Sequence, residues 1–130
     1  MRFTSWPTPR VSNIPAKPAD VYATKVGSDA RIESLRSFHL AFIDEFAVPG
    51  KHFNAAAFEA KVNEGNAKFQ RAIADEKFTA RRAVLIDLKL QFDADGGHLR
   101  SKASRGKITP ALASEMKKDI NKIYDHALGQ

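Results

Sequence analysis

The stretch "DADGGHLRSKASRGKITP", Asp93 to Pro110, concentrates much of the chemistry the sequence offers: two acids, a histidine, adjacent glycines and four basic residues. Asp93, Asp95 and His98 are oxygen and nitrogen donors close together in the chain, an arrangement that invites a divalent cation. An EF-hand loop opening at Asp93 would require an oxygen ligand at its fifth position, glycine at its sixth and glutamate at its twelfth. The chain supplies Gly97, His98 and Ser104 there. A phosphate-cradling P-loop needs four residues between its first glycine and a Gly-Lys pair followed by Ser or Thr. Here Gly97 and Gly106 are nine apart and Lys107 is followed by Ile108. Neither motif is met and the three donors match no preferred ligand set, so no metal or other cofactor is expected. The glycines then read as a helix end with polar neighbours.

The basic half of the stretch is different in kind. Arg100, Lys102, Arg105 and Lys107 repel one another with no acid between residues 98 and 107. The segment is therefore expected to be a solvated loop between helices, open to neutralisation by an anionic surface. No aromatic residue lies inside it, so phosphate contact rather than base stacking is the mode by which nucleic acid or another polyanion would bind.

Other candidates carry less. His39, His52, His98 and His126 have no histidine four residues away, and His39 sits between Leu35 and Ile43 on an apolar stripe, the place of a packed core or interface histidine. Asp44 with Glu45, and Asp75 with Glu76, point about 100 degrees apart on a helix and read as solvated face rather than as facing acid and base. Ser101, Ser104 and Ser114 fall in no nucleophile pattern. With neither a catalytic motif nor a cofactor fingerprint, the chain reads as non-enzymatic. Trp6 stands apart: beside Phe3 in a proline-rich basic arm, it would expose a large apolar surface unless docked. Trp and Arg are favoured contact residues, so Phe3, Trp6 and Arg10 are the candidate partner-binding set.

The elements that must position these residues follow from punctuation and period. Pro7, Pro9, Pro15 and Pro18 remove backbone donors and bias their predecessors toward extended geometry, which predicts an extended arm over residues 1–27. The arm has no apolar central region of the secretory kind. Ser28 or Asp29 would cap a first helix over 29–47, striped by Ile32, Leu35, Phe38, Phe42, Ile43 and Phe46 and ended by Pro49 and Gly50. A second, over 54–76, begins after Asn54 and shows Phe58, Val62, Phe69 and Ile73, with Gly65 and Ala72 leaving room for a close neighbour. Residues 79–92, within an element expected over 79–94, are ambiguous. Ile86, Leu88, Leu90 and Phe92 alternate like a strand, while Val84, Leu85, Leu88 and Phe92 fit a helix; the alanine neighbours incline the reading to helix. The last helix, 109–128, has Thr109 as cap, Pro110 at its first position and a stripe of Leu112, Met116, Ile120, Ile123 and Ala127.

At 130 residues, 43% hydrophobic and 28% charged, the chain is long enough to bury one ordinary core. It contains no cysteine, which excludes disulfides and thiolate chemistry without fixing a compartment. No apolar run reaches the length of a membrane span, so a soluble protein is expected. The net charge of +6 is concentrated: Arg2, Arg10, Lys17 and Lys25 stand against Asp20 in residues 1–25, and residues 98–107 carry four cations without an acid. A basic balance of this kind permits an anionic partner. The expectation is an all-α protein, a small bundle of three to four helices over residues 28–130 with an extended Pro-rich N-terminal arm over 1–27. Its function is expected to be that of a structural or interaction subunit that docks onto other protein subunits of a larger assembly. The alternatives are a nucleic-acid-binding accessory protein using Arg100, Lys102, Arg105 and Lys107, and a secreted effector with a flexible N-terminal export signal.

Overall fold

The computed structural model describes the backbone of residues 18–129 and the side chains of residues 25–129. Among the described residues there are four helices and no strand: α1 (Pro18–Phe46), α2 (Ala55–Asp75), α3 (Thr79–Ser104) and α4 (Leu112–Ala127). The all-α expectation holds. Contacts divide the chain into two compact units, Met1–Ala30 and Arg31–Gln130. The described part of the first is the opening of α1, where Lys25 Nζ meets Asp29 Oδ2 at 2.9 Å, one turn apart. Ser28 and Asp29 are interior to α1 rather than its caps: the helix begins at Pro18, and proline is well suited to a first helical position because it has no N–H to leave unpaired. Of the extended arm expected over 1–27, residues 18–27 are instead the opening of α1, and residues 1–17, with Phe3, Trp6 and Arg10, lie outside the described residues.

In the second unit α1 buries Ile32, Leu35, His39, Phe42, Ile43 and Phe46, the face set by their spacing. Asn54 caps α2 as its sequence signals: the side chain accepts a hydrogen bond from Ala57 N–H at 3.0 Å. The buried stripe of α2 is Phe58, Gly65, Phe69 and Ala72. A connection of only three residues makes α2 and α3 antiparallel neighbours. Glu76 holds that corner. Read from sequence as solvated face, its side chain is instead 1% exposed: Oε1 accepts from Arg31 Nη1 at 3.2 Å and Oε2 from Phe78 N–H at 3.2 Å, while Arg82 Nη2 donates to its carbonyl at 2.6 Å. A carboxylate that caps a chain reversal while facing a guanidinium has its lone pairs occupied, which is the condition for burying it.

The ambiguity over 79–92 resolves to helix. Leu85, Leu88, Phe92 and Leu99 point into the core, whereas Ile86 and Leu90, which a strand would have placed beside Leu88 and Phe92, are 44% and 60% exposed. Phe92 is the hub, with ring centroids at 4.9 Å from Phe42, 5.2 Å from His39 and 5.5 Å from Phe69. It lies over Gly65. A methyl group built there would fall 2.6 Å from Phe92 Cε2 and 2.9 Å from Phe38 Cε2, so the crossing of α2 and α3 requires glycine.

The structure corrects the reading of the opening stretch. The helix does not stop at Gly96 and Gly97, and residues 98–104 are not a loop. Gly96 is buried against Phe58 and Val62, and Leu99 carries the apolar stripe one turn further, so packing pulls the chain onward as helix. The terminator is Gly106, at φ 62°. Lys107 N–H reaches Lys102 C=O at 2.8 Å and Gly106 N–H reaches Ala103 C=O at 3.2 Å, the double bond of a Schellman cap, which needs a left-handed residue between. The last helix differs in a smaller way. Thr109 and Pro110 form the turn before it, Leu112 N–H bonding Thr109 C=O at 3.1 Å, and α4 starts at Leu112.

Candidate functional site

The sequence-derived cations are brought together by the last turns of α3, and three of the four serve the helix there. Arg100 Nη2 pairs with Glu59 Oε2 at 2.6 Å and lies over the Phe58 ring at 5.2 Å, joining α3 to α2. Arg105 Nε donates to Ser101 C=O at 3.3 Å, a carbonyl of the closing turn. Lys102, in that turn, faces the negative end of the helix dipole. Lys107 follows the terminating glycine and is exposed. Of what the sequence presented as four free cations on a loop, Arg100, Lys102 and Arg105 serve the end of α3 and Lys107 lies beyond it.

The donors Asp93, Asp95 and His98 are not brought together. Asp93 pairs with Lys89 at 3.1 Å on the outside of α3, His98 is exposed, and Asp95 turns inward. Among the described residues no group of three or more His, Asp or Glu side chains is arranged to hold a metal ion.

Asp95 leads to an arrangement that the sequence did not suggest. Its Oδ2 lies 2.8 Å from His39 Nε2, and His39 Nδ1 lies 3.1 Å from the Tyr124 hydroxyl. Gln91 Nε2 donates to the other carboxylate oxygen at 2.9 Å. An ionised carboxylate only accepts; in the neutral ring that puts the proton on Nε2 and leaves Nδ1 to accept from the Tyr124 O–H. Asp95 of α3, His39 of α1 and Tyr124 of α4 thus form one chain of hydrogen bonds across three helices. Burial pushes the Tyr124 hydroxyl far above the ordinary phenol range, and the nearby Asp95 charge adds to the shift while Arg36 opposes it. Both His39 and Tyr124 are 0% exposed. A carboxylate, imidazole and hydroxyl in series can activate a nucleophile where the hydroxyl meets substrate. Here the hydroxyl end is sealed, so the series acts as a polar staple through the core. The expectation of a packed histidine at position 39 is met. Apolar spacing in α4 runs from Ile120 to Ile123 and passes over Tyr124, yet the fourth buried position is Tyr124.

Arg36 reinforces the same junction from outside, with Nη1 at 2.7 Å from Asp125 and Nε at 2.9 Å from Glu33. About two turns further along α3, at its C-terminal end, Phe53 borders adjoining surface troughs. One, of about 450 Å³, is lined by His52, Phe53, Phe58, Glu59, Arg100 and Ala103. Another, of about 250 Å³, is lined by Val48, Lys51, Phe53, Ala103, Gly106 and Ile108. Phe53 and Ala103 belong to both, so the two adjoin in the gap between the α1–α2 connection and the end of α3. No helix among the described residues is long and apolar enough to cross a membrane. Comparison with protein-family models, with curated proteins and with solved structures returned no match.

Proposed function

We propose that this chain is a non-enzymatic interaction subunit, docking onto a larger assembly through its N-terminal arm and its helical body. The observation that carries the reading is the outer face of α3, where Ile86 and Leu90 stand one turn apart with 44% and 60% of their surface exposed. A large aliphatic pair at i, i+4 on one helix face is the form in which helices present an anchor to another protein. The sealing of the Asp95–His39–Tyr124 chain argues in the same direction, because its chemistry is spent on holding helices together. The arm supplies the second half of the docking surface through Phe3, Trp6 and Arg10, residue types that dominate interface energetics.

The test is the mass of the complex in which the full-length chain is isolated from its own cells. Deleting residues 1–18, changing Trp6→Ala, or changing Leu90→Lys is expected to release the chain from that complex with its circular dichroism unchanged. An arm-deleted, Leu90→Lys chain that still elutes in the same complex would sink the reading.

A second reading, binding to nucleic acid or another polyanion, draws on the exposed Arg105 and Lys107 at the α3 terminus, with Lys51 across the adjoining trough. Its signature is a steep fall in affinity for arbitrary DNA or RNA with salt.

A further inference from the structure

Resting on the interaction reading, we propose that the trough floored by Phe53 and Ala103 receives an acidic segment of a partner protein that inserts one large apolar side chain. The site is assembled from two separate parts of the chain: the α1–α2 connection running into the first turns of α2, and the end of α3 with its terminating glycine and Ile108. Sequence spacing gives no hint of it, since Lys51 and Lys107 are 56 residues apart.

Two features define the occupant. The floor is apolar, with Val48, Phe53, Phe58, Ala103 and Ile108 supplying carbon surface, and a concave carbon surface selects an apolar side chain. The rim is cationic. Lys51 lines it, and Arg105 and Lys107 are exposed on either side of the lining Gly106; none of the three forms an ion pair among the described residues, and the nearby Glu59 is already held by Arg100 at 2.6 Å. The field over the trough therefore favours carboxylates flanking the anchor.

The same features disfavour a nucleic acid. Single-strand binding relies on rings free to stack on bases. The Phe53 ring is half-buried and wedged between Phe46 and Phe58, at 6.0 and 5.0 Å between centroids.

The experiment uses the full-length chain and three fluorescein-labelled probes: a peptide rich in Asp and Glu with a central Leu-Phe pair, the same peptide with that pair replaced by Ser-Ser, and a single-stranded oligothymidylate. Anisotropy titration is expected to show binding of the Leu-Phe peptide and at least about tenfold weaker binding of the other two. Ala103→Glu puts a charge on the floor at an accessible helical position, and Lys51→Glu/Lys107→Glu reverses the rim; each is expected to weaken the Leu-Phe peptide by roughly tenfold or more. Thermal melts of both variants serve as the folding control, and backbone amide shifts at Phe53 and Ala103 on adding peptide locate the contact even if Ala103→Glu proves unstable. Equal binding of the two peptides, preference for the oligothymidylate, or shifts confined to other residues would each overturn the proposal. Absence of peptide binding by the unaltered chain, with the native complex intact, would remove the trough alone. Loss of the complex in the arm and Leu90 variants is read independently of any peptide.

Discussion

Tyr124→Phe is the most economical probe of the core's polar staple, because the ring still fills its place while His39 Nδ1 loses its partner. A buried acceptor left unsatisfied costs about 1–3 kcal/mol, and urea denaturation is expected to show a loss of that size. The pH dependence has a definite sign. The folded state raises the Tyr124 pKa, so its protonated hydroxyl contributes stability that is complete below the unfolded phenol value, about 10, and is lost as pH climbs beyond it. Melting temperatures measured from neutral pH into that alkaline range should fall more steeply for the wild type than for Tyr124→Phe; parallel curves would contradict the assignment. The position of His39 on a buried face was legible in the sequence. Its partners were not, because they lie 56 and 85 residues away and periodicity reports which face of a helix is buried, never which helices meet.

Glycines separate the elements more sharply than any other residue type. Gly65→Ala drives a methyl group into the fully buried Phe92 and is expected to cost about 1–3 kcal/mol of overpacking, more than the helix propensity it gains. Gly97, also helical, has nothing within 4 Å of an added methyl, so Gly97→Ala should instead stabilise by about 0.8–1 kcal/mol. Gly106→Ala must hold a left-handed residue at the end of α3 and is expected to lose about 1–2 kcal/mol. A thermal-shift series across the three checks the order. Why the sequence misplaced the end of α3 follows from the same residues. Adjacent glycines and a charge run look like a terminus locally, but Leu99 beyond them is fully buried, and one buried leucine is worth about 1.5–3 kcal/mol against roughly 1 for each helical glycine. The fold class, the α1 and α2 stripes and the Asn54 cap were legible because each depends on neighbours within two turns. The Phe53 trough was not, because two segments distant in sequence build it.

For the molecule as a whole, the distribution of charge and of exposed apolar surface decides between docking modes. Replacing Arg100, Lys102, Arg105 and Lys107 together with glutamine removes an exposed ion pair and the complement to a helix terminus, for an expected loss of about 1 kcal/mol. The variant should remain in its native complex; if it keeps its stability but leaves the complex, the α3 terminus rather than the arm is the principal docking element. One further consequence follows from the closeness of α2 and α3 at Gly65 and Phe92, with the corner at Glu76 locking their reversal. Contacts between adjacent antiparallel helices close short loops, so this pair can form early and persist late. In native-state hydrogen exchange the amides around Gly65, Phe69, Leu88 and Phe92 should be the last to acquire deuterium, opening only when the whole domain unfolds, while the solvent-facing turn at Thr109 exchanges through local fluctuation.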